Sequence, residues 1–166
     1  MNIVLHEPEI PHNTGAIGRT CAITGTSLHL IRPLGFSIDE KHIRRTGLDY
    51  WHSLDVTCHD DYGSFCEYVR QNFPKSKVYM ATTKAPRLYT EPSYDRGDFF
   101  MFGKESAGIP EEILLNNRDL CIRIPMLENS RSLNLSVSAG IVLYEALRQN
   151  GFSGLSFEGR LHRNSW

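Results

Sequence analysis

No two cysteines stand in a C-x-x-C spacing: Cys21, Cys58, Cys66 and Cys121 are scattered through the 166 residues. Neither a zinc site nor a disulfide framework is expected, and reduced thiols in a cytoplasmic protein are the better reading. No apolar run approaches the roughly 20 residues of a membrane-crossing helix, so no membrane association is expected. The opening "MNIVLHEPEIP" lacks the basic segment and long apolar stretch of a secretory leader. An excess of one charge is missing too: 18 Lys and Arg face 19 Asp and Glu, a formal net charge of −1. Proteins that coat long nucleic acids are strongly basic, so any basic surface here must be local. The candidate clusters are Lys41, Arg44 and Arg45, then Lys84 and Arg87, then the tail "GRLHRNSW".

The familiar glycine signatures are equally absent. "GAIGRT" lacks the G-x-x-x-x-G-K-[ST] spacing of a phosphate loop. No G-x-G-x-x-G follows a strand, which argues against a Rossmann dinucleotide site and the Rossmann methyltransferases. "GKESAG" is not G-x-S-x-G, so a hydrolase elbow is unsupported. His59 beside Asp60 and Asp61 reads as a helix cap, and no metal is expected.

What is present is a folded composition, 40% hydrophobic and 22% charged, in a chain whose length suits one domain. Strand and helix patterns alternate. "NIVL", "SLHLI", "DVTCH", "KVYMATT", "DFFMFG" and "LCIRIP" read as strands. Helices are expected in "NTGAIGRTCAITG", capped by Asn13 or Thr14, burying Ile17, Cys21 and Ile23 and ended by Gly25. Others are expected in "SIDEKHIRR", with a Ser37–Glu40 capping box, and in "SFCEYVRQNF". Two more are "PEEILLNN", with Pro110 at its first helical position, and a segment from about Ser136 to Gln149. Strands that are continuously apolar rather than alternating indicate an α/β fold, a mostly parallel sheet with helices on both faces. Ligands of such sheets bind beyond the strands' carboxyl ends. Three loops with unusual chemistry leave those ends: "EPEIPHNTG", "FGKESAGIP" and "PMLENSRSLNLS". The last reads by itself as a helix start, with Ser136 as cap and Ser132 and Asn134 making local turn bonds. Arg131 and the neighbouring polar loops shift the reading towards a binding site.

These segments also carry a resemblance. "NIVLHEPEIPHNTGAIGRTCAITG", "LDYW", "ATTK", "FMFGKESAGIP" and "IRIPMLENSRSLNLSVSAGIVLYEALRQ" resemble the trefoil-knotted SPOUT methyltransferases. Among them it closely resembles the small tRNA wobble-position ribose 2′-O-methyltransferases. The resemblance implies a deep C-terminal trefoil knot, a single domain over residues 1–166 without an appended RNA-binding domain, and a homodimer. It implies S-adenosyl-L-methionine as cofactor, S-adenosyl-L-homocysteine as product, and tRNA as partner. The target would be the ribose 2′-hydroxyl of nucleotide 34, a cytidine or modified uridine, in leucine isoacceptors. By the same resemblance the cofactor pocket comprises Ala81, Thr82, Gly103, Ile124, Met126, Ser132 and Leu133. The catalytic group comprises Asn13, Arg19, Glu105 and Asn134. Because a guanidinium stays protonated, Arg19 would grip a substrate phosphate and stabilise the forming alkoxide rather than act as a base. RNA contacts are expected from Arg44 and Arg45, with Lys84, Arg87 and Arg131 next. Tyr50, Trp51 and Tyr144 are candidates to stack on a base. Lys104 and Ala107 depart from the Gly-Pro-Glu-Thr-Arg-Gly found in many members, and Gly18 stands where a bulkier residue is usual. The alternatives are a knotted 2′-O-methyltransferase acting on another tRNA or rRNA position, and a non-catalytic RNA- or nucleotide-binding module.

Overall fold

The computed structural model describes residues 1–37 and 54–164. Among the described residues six strands form one sheet: β1 (Asn2–His6), β2 (Ser27–Ile31), β3 (Val56–His59), β4 (Val78–Ala81), β5 (Phe99–Phe102) and β6 (Cys121–Ile122). Their order is β3-β2-β1-β5-β4-β6, and every pairing is parallel. The helices are α1 (Pro11–Thr24), α2 (Tyr62–Asn72), α3 (Glu111–Asn116) and α4 (Leu135–Gln149). None is long and apolar enough to cross a membrane.

Successive strand residues point to opposite faces, and here both faces are covered. Ile3, Leu5, Leu28, Leu30, Phe100 and Phe102 enter one core with Ile17 and Cys21 of α1 and Ala139, Val142 and Leu143 of α4. Val4, Ile31, Phe99 and Met101 enter the other with Phe65 and Val69 of α2 and Ile113 and Leu114 of α3. This two-sided burial is why most strand positions are apolar, with Asn2, His6, His29 and His59 as buried polar exceptions. All four cysteines are free thiols, and burial pushes the Cys21 thiol up to about 12.

Local differences from the sequence reading have specific causes. α1 begins at Pro11, three residues before the start that an Asn13 cap would give, because Pro11 supplies a preset φ at the helix start and Ile10 is the N-cap without a side-chain bond. Asn13 therefore lies inside the first turn and is not the cap. Gly25 ends α1 in the left-handed conformation, φ 65°. Ile23 is 64% exposed; two residues beyond Cys21 it is turned about 200° around the helix axis, away from the buried stripe. Asp61 caps α2 in a reciprocal pair with Ser64, which accounts for the acidic residues after His59. Pro110 is the N-cap of α3 rather than its first residue, and β6 is only two residues long. Asn134, not Ser136, caps α4. The expected helix from Ser37 through Arg45 lies, beyond Ser37, outside the described residues.

One polar pair interrupts the second core. His29 Nδ1 lies 3.1 Å from His59 Nε2, among Phe65, Tyr68 and Phe99. Burial first, then the neighbouring His59, lowers His29 from 6.5 to about 4. An unfolded chain binds this proton from pH 6.5 downward while the folded chain resists it until about 4. Stability is therefore full above pH 6.5 and lost as the pH falls through that window. From pH 7.5 to 5 His29 alone is expected to remove about 2 kcal/mol of unfolding free energy, measurable by urea denaturation. Ring-nitrogen NMR should show His29 neutral at pH 5, and an ordinary midpoint near 6.5 would contradict this account.

Candidate active site

β1, β5, β4 and β6 are consecutive in the sheet, so the loops leaving their carboxyl ends converge. They enclose a cavity of about 500 Å³. Ala81 and Thr82 line it from the end of β4, and Gly103 from the end of β5. Ile124, Met126, Ser132 and Leu133 line it from the segment between β6 and α4. All seven residues expected in the pocket are thus in its wall.

The turn after β5 is shaped by two glycines. A Cβ on Gly103 would sit 2.0 Å from the carbonyl carbon of Gly108 and 2.1 Å from the nitrogen of Ile109. Gly108 has φ +73°, a conformation that glycine adopts without strain, and its N–H donates to the Lys104 carbonyl at 2.8 Å. The turn closes tightly and aims Glu105 back towards β1.

Three of the four expected catalytic side chains form one hydrogen-bonded row at the cavity wall. Asn13 Nδ2 donates to Glu105 Oε1 at 2.8 Å, and Asn134 Nδ2 donates to Asn13 Oδ1 at 3.0 Å. Asn134 Oδ1 in turn accepts from the Ser136 N–H at 2.9 Å and the Ser136 hydroxyl at 2.7 Å. The other Glu105 oxygen accepts from the Glu9 N–H at 2.9 Å. Residues from three distant segments, the first turn of α1, the turn after β5 and the cap of α4, therefore orient one another, and each amide is fixed in direction. Asn134 both caps α4 and carries the row, while Ser132 sits exposed at the cavity wall.

Arg19, the fourth, is exposed on α1 and is not among the residues lining the cavity. Lys84 lines the cavity, and its ammonium lies 2.6 Å from Glu111, holding that carboxyl below its usual range. Arg87 is half-buried and pairs loosely with Glu91 at 3.8 Å. Arg131 and Tyr144 are exposed away from the cavity lining. Arg44, Arg45, Tyr50 and Trp51 lie outside the described residues.

Sequence reasoning passed over Glu7, Glu9 and Ser106. Lys104 Nζ bonds Glu7 at 2.9 Å, and the Glu9 carboxylate accepts from the Ser106 N–H at 2.9 Å and hydroxyl at 2.8 Å. These partners are 97 positions apart, and the one available signal was two glutamates crowded into a strand-end loop.

With this geometry, known proteins can be compared. A tRNA (cytidine(34)-2′-O)-methyltransferase of Saccharophagus degradans is 49% identical over 154 residues, 92% of this chain and 97% of that protein. A solved structure concerned with the 2-OH methylation of C/U34 on tRNA is 41% identical, with a TM-score of 0.81 over 90% of this chain and 95% of that one. The Streptomyces viridochromogenes SpoU methyltransferase AviRb, solved with the cofactor AdoMet, shares the fold at 21% identity, with a TM-score of 0.80 over 90% of this chain and 57% of that one. Residues 1–144, which carry the whole sheet and the converging loops, match the pattern of the SpoU rRNA Methylase family, and the chain belongs to that family.

Proposed function

We propose that this protein methylates the ribose 2′-hydroxyl of the wobble nucleotide of tRNA, using S-adenosyl-L-methionine and releasing S-adenosyl-L-homocysteine. The observation that carries the reading is the Asn134–Asn13–Glu105 row set against a cavity walled by the segments that leave four strand ends. The 49% identical relative, which matches over nearly its full length, bears the name of that reaction.

The residues present fit such a cofactor. The cavity of about 500 Å³ lies within the range of about 300–1,000 Å³ usual for small-molecule sites. Ala81, Ile124, Met126 and Leu133 offer apolar surface to a flat base, and Thr82 and Ser132 offer hydroxyls. When bound, the cofactor supplies an electrophilic sulfonium methyl group.

The chain's own residues orient the substrate and stabilise charge. Both Glu105 oxygens are engaged by donors, so Glu105 holds Asn13 in place rather than taking a proton. Asn13 and Asn134 each give one N–H to the row, and the second N–H of each is directed to the ribose or its phosphate. Arg19 neutralises negative charge growing on the attacking oxygen, and the hydroxyl proton leaves through phosphate or water. Because Arg19 lies off its own cavity wall, it serves the cavity of a second copy in a homodimer. Exposed Ile23 of α1 and exposed Val137 and Tyr144 of α4 support a second copy against these two helices, which pack together. Lys84, Arg87, Arg131 and the undescribed Arg44 and Arg45 meet the anticodon arm, with phosphate displacing Glu111 from Lys84. Residues 1–166 act as one knotted unit, in the cytoplasm. Backbone bonds from Arg123 N–H to Arg87 and from Tyr89 N–H to Arg123 support a C-terminal segment threaded past the loop after β4.

The direct test is transfer of labelled methyl to total tRNA followed by nucleoside identification. Label in a 2′-O-methylated nucleotide at position 34 is expected; label only in a base, or at another position, would end the reading. Asn134 separates two roles. Asn134→Ser keeps a capping side chain but is too short to reach Asn13. Stability to urea is expected within about 0.5 kcal/mol of wild type, with turnover down about 10- to 100-fold from misorientation. Unchanged turnover would remove the row from the mechanism.

A further inference from the structure

Segments 7–13 and 104–106 are cross-linked at four points. Lys104 bonds Glu7 at 2.9 Å, the Glu9 N–H bonds Glu105 at 2.9 Å, the Glu9 carboxylate bonds Ser106 at 2.9 and 2.8 Å, and Asn13 bonds Glu105 at 2.8 Å. Asn13 and Glu105 belong to the reactive row, and the Lys104–Glu7 pair is a partly exposed ion pair of modest value. Glu9 differs from all of these. Its main chain donates to the Glu105 carboxylate while its side chain accepts from both the amide and the hydroxyl of Ser106. The contact is reciprocal, so neither segment can shift without breaking charge-assisted bonds. The bonds to Ser106 also hold the Glu9 carboxyl below its usual range, so it stays an ionised acceptor at neutral pH.

We infer that Glu9 is a positioning residue for the cofactor: by gripping Ser106 it sets the 103–108 turn whose Gly103 end forms part of the cavity wall. Glu9 lies outside that wall while Ser106 lies in it, so the effect passes through the turn and not through contact. Gly35 is pressed against the Glu9 main chain, where a Cβ would come within 2.7 Å of the Glu9 carbonyl oxygen, and its N–H donates to Pro8 at 2.9 Å. The segment bearing Glu9 is thus braced from behind, and its grip on the turn has a fixed base.

The inference rests on the cavity holding S-adenosylmethionine, and the test separates the two. Calorimetry on the full chain with S-adenosylhomocysteine is run on wild type, Glu9→Gln, Ser106→Ala and the double variant. Glutamine offers one acceptor in place of two, and alanine removes only the hydroxyl. Glu9→Gln is expected to weaken binding about tenfold and Ser106→Ala about threefold, as losing charged hydrogen bonds implies. The double variant should bind no more weakly than Glu9→Gln, because both changes break one contact. tRNA affinity measured without cofactor should stay within about twofold of wild type, a split that general loosening of the fold would not produce. If wild type binds and Glu9→Gln binds equally well, or if the two losses simply add, the inference is overturned and the cofactor reading stands. If wild type itself does not bind, the cofactor reading falls and the inference with it. Should Glu9→Gln unfold by circular dichroism, Ser106→Ala carries the test alone, and unchanged binding by that variant overturns the inference.

Discussion

Gly103→Ala is expected to abolish measurable binding of S-adenosylhomocysteine. The new methyl would lie 2.0 Å from Gly108 C, 2.1 Å from Ile109 N and 2.4 Å from Gly108 O. These are main-chain atoms, so no side chain can swing aside, and the whole turn must open. That turn carries Glu105 and forms one wall of the cavity, so opening it disperses the pocket and the hydrogen-bonded row of Asn134, Asn13 and Glu105 together. The overpacking is expected to cost about 3 kcal/mol or more of stability, and cofactor affinity should fall by at least about 100-fold. Gly140→Ala is the control. It sits inside α4 with nothing within 4 Å of its new methyl, and should raise stability by about 0.5–1 kcal/mol by favouring the helix. Wild-type cofactor affinity in Gly103→Ala would show that the turn can relax, and would detach the cavity from this loop.

The second large effect is expected at Arg19. If its guanidinium faces the developing negative charge, Arg19→Ala should lower kcat by about 10²–10³-fold, the range for removing one preorganised donor to a forming oxyanion. Arg19→Lys should recover little, because an ammonium cannot present two parallel N–H groups to phosphate or sugar oxygens. Cofactor affinity should be largely retained in both variants, since Arg19 is assigned to the ribose oxygen and phosphate rather than to the cofactor. The proposed dimer offers a sharper readout. Mixed dimers of an Arg19→Ala chain with a Glu105→Ala chain should regain activity if each cavity takes its arginine from the neighbouring copy. Near-wild-type turnover by Arg19→Lys would remove the need for the guanidinium fork. Mixed dimers as inactive as their parents would return Arg19 to its own chain's cavity.

The two positions illustrate how unevenly the site could be read in advance. Gly103 and Gly108 bracket Glu105 directly after a buried strand, and that local pattern already implies a tight turn. The seven pocket residues follow strand ends or precede a capped helix, so finding them required only the strands and the family resemblance. Arg19 fares differently, because its place on α1 follows from helical geometry while its use depends on what approaches that face. Asn13 looked like a cap by residue type, yet Pro11 starts the helix earlier and frees the Asn13 amide for Glu105, 92 positions away. Glu9 and Ser106 went unnoticed for the same reason: each is ordinary in its own loop and acquires meaning only from the other.

The sequence by itself determined the elements and the sheet class. Strand runs that are mostly apolar rather than alternating require cover on both faces, and prolines, glycines and caps mark where each element stops. Local backbone preference and burial pattern act over a few residues, so they are written in consecutive letters. Only the tertiary structure decided the strand order β3-β2-β1-β5-β4-β6, the convergence of four strand ends on one cavity, and the row joining Asn134 to Asn13 across 121 positions. Hydrogen bonds of that span arise from how helices on both faces bring distant strand ends together, and no single segment of the chain encodes them.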